Sequence, residues 1–175
     1  IHNAINIKDI VFNDKVRQIK RSELKFGDED FIVGHVGRFV YQKDHEFLID
    51  VFNEVHNKRS KAKLLLIGDY VGDDTYYKNA VNQVKKLKLE NAVLFLGIRH
   101  DVAELMQAMD CFVMPSRFEG LTVVGVESQA SGLPCFFSDN ITKELKLVDG
   151  LCYFIDNKLE KKTWADIILK KSAVT

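Results

Sequence analysis

The stretch Lys63-Leu-Leu-Leu-Ile-Gly68 is the most informative part of the sequence for the fold. It is a short apolar run, and it is followed by an amphipathic stretch from about Thr75 to Leu87. A continuous apolar run is typical of a strand buried on both faces, since a strand with one wet face alternates apolar and polar residues. The segment therefore predicts one strand–loop–helix unit of a parallel sheet.

Similar units recur along the chain. Phe31-Ile-Val-Gly-His-Val36 precedes a stretch from Glu46 to Val55 whose apolar residues have helical spacing. Asp101-Val-Ala-Glu104 has the spacing of a capping box and predicts a helix that ends near Met109. Further strands are predicted at 93–97, 111–114, 135–138 and 151–155, and further helices at about 122–131 and 164–169. This alternation predicts a doubly wound, Rossmann-like α/β fold, with a parallel sheet of about six strands and helices on both faces.

Composition is that of an ordinary globular domain. Lys plus Arg and Asp plus Glu both number 25 among the 175 residues, so the chain lacks the overall positive charge that nucleic-acid binding usually requires. Cys111, Cys135 and Cys152 lie in or beside apolar runs, which favours buried thiols and a reducing cytoplasm over disulfides. No apolar run approaches the ~18 residues of a transmembrane segment.

We expect residues 1–175 to form a single domain of a longer protein, because the chain begins with Ile1 rather than Met. Residues 1–25 are polar and irregular in pattern, and we expect them to be a segment that leads in from an absent amino-terminal domain. This segment carries a basic cluster of Lys15, Arg17, Lys20 and Arg21.

Ligands of an open parallel sheet bind at the carboxyl ends of the strands. That rule selects the loops after the first four predicted strands, which are residues 37–43, 68–74, 97–101 and 115–122. We refer to 37–43 as the first loop and to 115–122 as the fourth loop.

The first loop carries two cations, Arg38 and Lys43, beside Gly37, where the backbone of a ligand-binding loop can approach closely. An arginine fork and a lysine point charge would suit a diphosphate. The same pattern would also fit a solvated turn with two ordinary surface cations.

The fourth loop contains Glu119, and Glu127 follows in the helix predicted next. If Glu119 and Gly120 are loop, both carboxylates can approach one cleft. Glu127 lies in an otherwise apolar stretch and needs a partner, for which ribose hydroxyls or a neighbouring Lys or Arg would serve. Free N–H groups at the start of this helix form a site for phosphate oxygens.

Several classes of site find no support. The sequence contains neither Gly-x-Gly-x-x-Gly nor a Walker loop, and its five histidines lack zinc-like spacing. His35 lies in the first predicted strand, which is typical of a satisfied core or near-site histidine rather than a catalytic one.

Together these segments resemble the carboxyl-terminal domain of family 4 retaining glycosyltransferases, which have the two-domain GT-B fold. The resemblance spans roughly residues 1–170, including the turn Asn3-Ala-Ile-Asn6. The segments that carry it are Val36–Lys43, Leu66–Gly68, Phe95–Gly97 and Met114–Pro134, in which Glu119 and Glu127 have the family's spacing.

The resemblance implies roles for particular residues. Arg38 and Lys43 at Gly37 would bind the diphosphate together with the backbone N–H groups of Gly120, Leu121 and Thr122. Glu127 would bind the ribose hydroxyls, and Glu119 would face the donor sugar. Arg99, in the third of the four loops, would lie near the base. Arg38, Lys43 and Glu119 would be the catalytic residues, with no metal and no cofactor.

The sequence from Glu119 to Pro134 is most similar to that of bacterial capsule and exopolysaccharide transferases. That similarity implies a UDP-sugar donor and a glycan or lipid-linked acceptor held by the absent domain. The isolated chain should then bind nucleotide weakly and transfer no sugar. The complete enzyme is expected in the cytoplasm or peripherally on the inner face of the membrane.

Two features depart from the family pattern. Gly68 is separated from Gly72 by Asp-Tyr-Val, where the family often has two close glycines, and Ala4 replaces a glycine in the amino-terminal turn. Three other functions were weighed. A nucleotide-sugar epimerase of the same fold would need a His-rich or acid-rich cleft, a folded interaction module would leave the cleft unused, and a dehydrogenase would need the missing glycine fingerprint.

Overall fold

The computed structural model describes residues 10–173. The predicted turn Asn3-Ala-Ile-Asn6 lies outside these residues. The strands are β1 Phe31–Val36, β2 Ala62–Ile67, β3 Val93–Phe95, β4 Cys111–Met114, β5 Cys135–Ser138 and β6 Cys152–Ile155. The helices are α1 Asp14–Glu23, α2 His45–Lys58, α3 Thr75–Lys86, α4 Val102–Ala108, α5 Val123–Ala130 and α6 Lys161–Ser172.

All six strands form one parallel sheet in the order β3-β2-β1-β4-β5-β6. The chain winds outward from β1 in one direction and from β4 in the other, so the carboxyl ends of these two strands lie side by side. The predicted doubly wound sheet is confirmed. Its switch point falls between the first and fourth loops.

Alternate residues of each strand face opposite layers of helix. Leu64 and Leu66 of β2 pack in the cluster that contains residues of α2, α3 and α6, whereas Leu65 packs in the cluster that contains residues of α4. A strand covered on both faces needs apolar residues at every position, which is why the run at 63–68 is continuous. The three cysteines are buried within these two clusters, as predicted.

The amino-terminal part of the chain differs from the prediction. Residues 14–23, expected to be irregular, form helix α1. Arg17 lies 2.5 Å from Asp110 and also donates to the carbonyl of Met109, and the buried Arg21 donates to the carbonyl of Ala108. The helix packs through charged contacts with the segment before β4, and a pattern based on apolar spacing does not detect such a helix.

The helix predicted to start at Asp101 is present as α4, but the predicted cap is wrong. The Asp101 carboxylate makes no capping hydrogen bond. It accepts from Arg99 at 2.8 and 2.7 Å and from Lys20 of α1 at 2.8 Å. These two cations lower the pKa of Asp101 and hold it in the charged form. Because the Asp101 carboxylate pairs with Lys20 of α1 and with Arg99, it does not cap the start of α4.

None of the helices within residues 10–173 combines the length and apolar character that a membrane crossing demands.

Candidate functional site

The switch point brings the first and fourth loops together. Arg117 of the fourth loop donates its backbone N–H to the carbonyl of Gln42 of the first loop at 2.8 Å. In the other direction, the Gln42 side chain donates to the carbonyl of Phe118 at 3.0 Å. Two of the four loops predicted to lie at the ligand-binding edge are therefore in direct contact.

The first loop lies so close to the end of β2 that glycine is required at position 68, and Gly37 is also closely packed. A Cβ on Gly68 would lie 2.1 Å from the Gly37 carbonyl oxygen, and Gly68 has φ +141°. A Cβ on Gly37 would lie 3.0–3.1 Å from His35 Nε2 and from the Lys43 side chain. The backbone before Arg38 is thus held against the end of β2, with the Gly37 amide donating to the Ile67 carbonyl at 2.9 Å.

The two cations of the first loop have different environments. Arg38 is exposed, and its guanidinium makes no ion pair or side-chain hydrogen bond within residues 10–173. The Lys43 side chain is only 15% exposed, and its Nζ lies 2.6 Å from Glu119 Oε1 in the fourth loop. Lys43 is therefore not a solvated surface cation, while Arg38 is available to an anionic ligand.

The two carboxylates also differ. Glu119 lies in the loop, as predicted, with its side chain 9% exposed and paired with Lys43. Glu127 lies in α5, is half-buried, and has its pKa raised by burial. No Lys or Arg of the described residues pairs with Glu127, so the salt bridge considered for it is not formed there.

The start of α5 offers unused backbone donors. The helix begins at Val123, and its N-cap Thr122 accepts from the Gly125 amide at 3.1 Å. The amides of residues 120–124 donate to no other residue in the described part of the chain. A helix start of this kind favours an anion through its free N–H groups and its dipole.

A cleft of about 270 Å³ opens beside Arg38. It lies at the carboxyl ends of β1 and β2, next to the loop that follows β3. Arg38 and Arg99 both line it, together with the exposed apolar side chains of Val71 and Ile98. The Asp101 carboxylate fixes the orientation of Arg99 through two hydrogen bonds. A flat, partly apolar group could therefore lie in this cleft with its anionic end toward Arg38.

Two buried histidines, His35 of β1 and His45 of α2, lie on either side of the first loop in the chain. His35 holds the Val113 carbonyl of β4 through Nδ1 at 2.8 Å, and its ring lies edge-on to that of His45, 4.8 Å between centroids. Burial lowers the pKa of His35 to about 4 and that of His45 to about 2, and the nearby charge of Lys43 acts in the same direction. Both rings are neutral at pH 7. The prediction that His35 is a core or near-site residue agrees with this position.

The predicted residues fall into three neighbouring groups. Gly37, Arg38 and Arg99 line the cleft, and Lys43 pairs with Glu119. The third group, at the start of α5, comprises Gly120, Leu121, Thr122 and Glu127. The structure shows no contact between Glu127 and the other two groups.

The roles of two residues at this site were not predicted from the sequence. Gly68 was predicted to belong to a segment typical of the family and to be unusually spaced from Gly72, but its positive φ and its approach to Gly37, which shape the first loop, were not predicted. Arg117 was not singled out, although it contacts both Tyr41 and Asp44. The position of Arg117, shortly after β4 in a loop predicted to bind ligand, is the sequence feature that could have indicated its role.

The fold and the sequence are those of a known protein family. The sequence profile of the family described as "Glycosyl transferases group 1" matches residues 16–170. The chain belongs to this glycosyltransferase family, and the resemblance to a GT-B carboxyl-terminal domain is confirmed.

Two curated proteins are similar to this chain over nearly its whole length. EpsF of Bacillus subtilis (strain 168), a glycosyltransferase by name, is 33% identical over 171 residues, which are 98% of this chain and 44% of EpsF. WclY of Escherichia coli, an O-antigen biosynthesis glycosyltransferase, is 29% identical over 168 residues, which are 96% of this chain and 44% of WclY. The chain thus spans less than half the length of either relative.

Solved structures agree with the fold. HepE of Anabaena, crystallised with UDP and glucose, is 26% identical with a TM-score of 0.86, over 99% of this chain and 48% of HepE. The C-terminal domain of LpcC from Francisella tularensis has the same fold, with a TM-score of 0.81 at 20% identity, over 95% of this chain and 87% of that domain.

Proposed function

We propose that this domain binds a nucleoside diphosphate sugar, with UDP as the nucleotide, for a retaining transfer of the sugar to a glycan or lipid-linked acceptor. The observation that carries the proposal is Arg38 at the switch point, whose guanidinium has no side-chain partner among residues 10–173. Unused amides at the start of α5 add further donors to the same edge. HepE, crystallised with UDP and UDP-glucose, supports the choice of nucleotide.

The proposed mechanism is electrostatic. Arg38, Lys43 and the amides of Gly120, Leu121 and Thr122 neutralise the diphosphate, and they stabilise the negative charge that develops on it as the sugar leaves. Because these groups supply the positive charge, the proposed reaction needs no metal and no cofactor.

The carboxylates orient the donor. Glu127, which lacks a cationic partner among the described residues, accepts hydrogen bonds from the two ribose hydroxyls. Glu119 accepts from the sugar hydroxyls and holds Lys43 toward the diphosphate. The base lies in the cleft near Arg99, whose position Asp101 fixes.

The proposed setting is bacterial surface polysaccharide assembly. The relatives include the O-antigen transferase WclY and AmsD of Erwinia amylovora, an amylovoran biosynthesis transferase. The acceptor would be held by an amino-terminal domain, in an enzyme located in the cytoplasm or on the inner face of the membrane. The isolated chain then binds donor without transferring sugar, and robust transfer by it would refute that part.

Calorimetric titration with UDP, GDP and ADP tests the proposal, first with a chelator and then with magnesium. We expect UDP to bind in preference to the other two, with the same affinity in both conditions. Glu127→Ala should weaken UDP binding, since it removes the acceptor for the ribose hydroxyls, whereas Glu160→Ala, at the N-cap of α6, should not. No binding of any nucleotide at millimolar concentration would refute the proposal.

A further inference from the structure

Lys43 and Glu119 belong to different loops, so their 2.6 Å contact depends on how the loops are held together. Two hydrogen bonds join the loops next to this pair. One runs from the Arg117 amide to the Gln42 carbonyl, and the other from the Gln42 side chain to the Phe118 carbonyl. Neither bond involves Lys43 or Glu119 directly.

The side chain of Arg117 adds a second connection. Its Nη2 lies 2.9 Å from Asp44 Oδ1, and its guanidinium carbon lies 4.3 Å from the centre of the Tyr41 ring. Asp44 directly follows Lys43, and Arg117 precedes Glu119 by two residues. The contact therefore flanks the Lys43–Glu119 pair on both loops.

Asp44 is the more buried partner in this contact. Its side chain is only 10% exposed, and its backbone has φ +53°, a conformation that non-glycine residues adopt rarely. Burial raises the pKa of Asp44, while the charge of Arg117 acts in the opposite direction. The charge of Arg117 thus offsets part of the effect of burial on the Asp44 carboxylate.

Arg117 does not itself line the cleft beside Arg38. It borders a separate, open pocket of about 480 Å³ together with Tyr41, Asp44 and Lys161. Since its guanidinium pairs with Asp44 and covers Tyr41, we expect its effect on a ligand beside Arg38 to pass through the first loop.

We propose that Arg117 is a positioning residue for the donor site. By binding Asp44 and Tyr41 it holds Lys43 of the first loop against Glu119 of the fourth, and so places the lysine for the diphosphate. This inference rests on the proposed function for its effect on nucleotide binding, but the loop contact can be measured without nucleotide.

The first measurement is calorimetric UDP affinity. We expect Arg117→Ala to weaken binding by about three- to tenfold, as expected for loss of a partly exposed ion pair with a cation–π contact. Arg117→Lys should recover part of the loss, because lysine keeps the charge near Asp44 but not the planar fork. Arg59→Ala is the matched control: Arg59 also covers an aromatic ring, that of Phe31, at 4.7 Å, and Phe31 is at the other end of β1.

A double-mutant cycle separates positioning from direct ligand contact. If Arg117 acts through Asp44, adding Arg117→Ala to Asp44→Asn should cost much less than the same change in the wild type. A full, additive loss in the double variant would overturn the proposal, because the effect of Arg117 would then not depend on its contact with Asp44. Unchanged affinity in Arg117→Ala would overturn it as well.

The second measurement is hydrogen–deuterium exchange of residues 116–119 in the free chain, the part of the fourth loop whose Arg117 amide donates to Gln42. We expect faster exchange in Arg117→Ala than in the wild type and in Arg59→Ala, with Arg117→Lys in between. Equal exchange would overturn the proposal whether or not UDP binds. If the wild type binds no nucleotide while exchange changes as expected, the proposed function fails and the loop contact stands.

Discussion

Gly68→Ala is expected to damage both stability and nucleotide binding. The new methyl group would lie 2.1 Å from the Gly37 carbonyl oxygen, far inside the closest approach of a carbon and an oxygen. Gly68 and Gly37 are each held by a backbone hydrogen bond, to Gly97 and Ile67, so neither can retreat without breaking one. The substitution also forces alanine into φ +141°.

The cost follows from these two effects. Strained backbone at a position with positive φ costs about 1–3 kcal/mol, and overpacking costs about 1–3 kcal/mol more. With a urea m-value of about 2 kcal/mol/M, the unfolding midpoint should fall by about 1–3 M. Displacement of the Gly37–Arg38 peptide should also weaken UDP binding in the fraction that remains folded.

Gly72→Ala is the matched control. Gly72 lies in the same loop and has φ +77°, but no atom lies within 4 Å of its missing Cβ. Its substitution should cost only the strain of the backbone, about 1–2 kcal/mol. Urea unfolding of both variants, followed by circular dichroism, gives the comparison. Equal midpoints for Gly68→Ala and Gly72→Ala would refute the argument from close approach.

Two further predictions concern charge. Arg38→Ala should weaken UDP binding about ten- to a hundredfold, because it removes charge-assisted hydrogen bonds worth about 1.5–3 kcal/mol, and calorimetry on a well-folded variant measures this. The free energy of unfolding should fall by up to about 1.4 kcal/mol per pH unit for each of His35 and His45 below pH ~6.5, because the unfolded chain takes up protons that the buried rings do not. The His35 part of this loss should end near pH 4, the lowered pKa of His35, whereas the His45 part should continue to lower pH. Urea midpoints at pH 7, 6 and 5 measure it, and a slope unchanged in His45→Phe would contradict the assignment for His45.

Most of the fold could be predicted because apolar runs report burial directly. The run at 63–68 became β2, and the segment from Thr75 became α3, since both elements owe their position to apolar packing. Helix α1 could not be found in this way, because charged contacts with Asp110 and Asp101 hold it against the domain.

The candidate site was predictable to the extent that it follows from topology. Arg38 and Lys43 were found because they follow a strand whose carboxyl end faces the switch point. The pairing of Lys43 with Glu119, the approach of Gly68 to Gly37 and the contact of Arg117 with Asp44 all join separate segments. Such contacts depend on the register of neighbouring loops, which the spacing of residues in one sequence does not report.

The most direct test of the account is to locate UDP on the chain by amide chemical shifts in solution NMR. UDP should shift the amides of Gly37, Arg38 and residues 120–124, and should leave those around Arg59 unchanged. Saturable shifts centred on the amino ends of the strands, or no shifts at millimolar UDP, would contradict the claim that this edge of the sheet binds the donor.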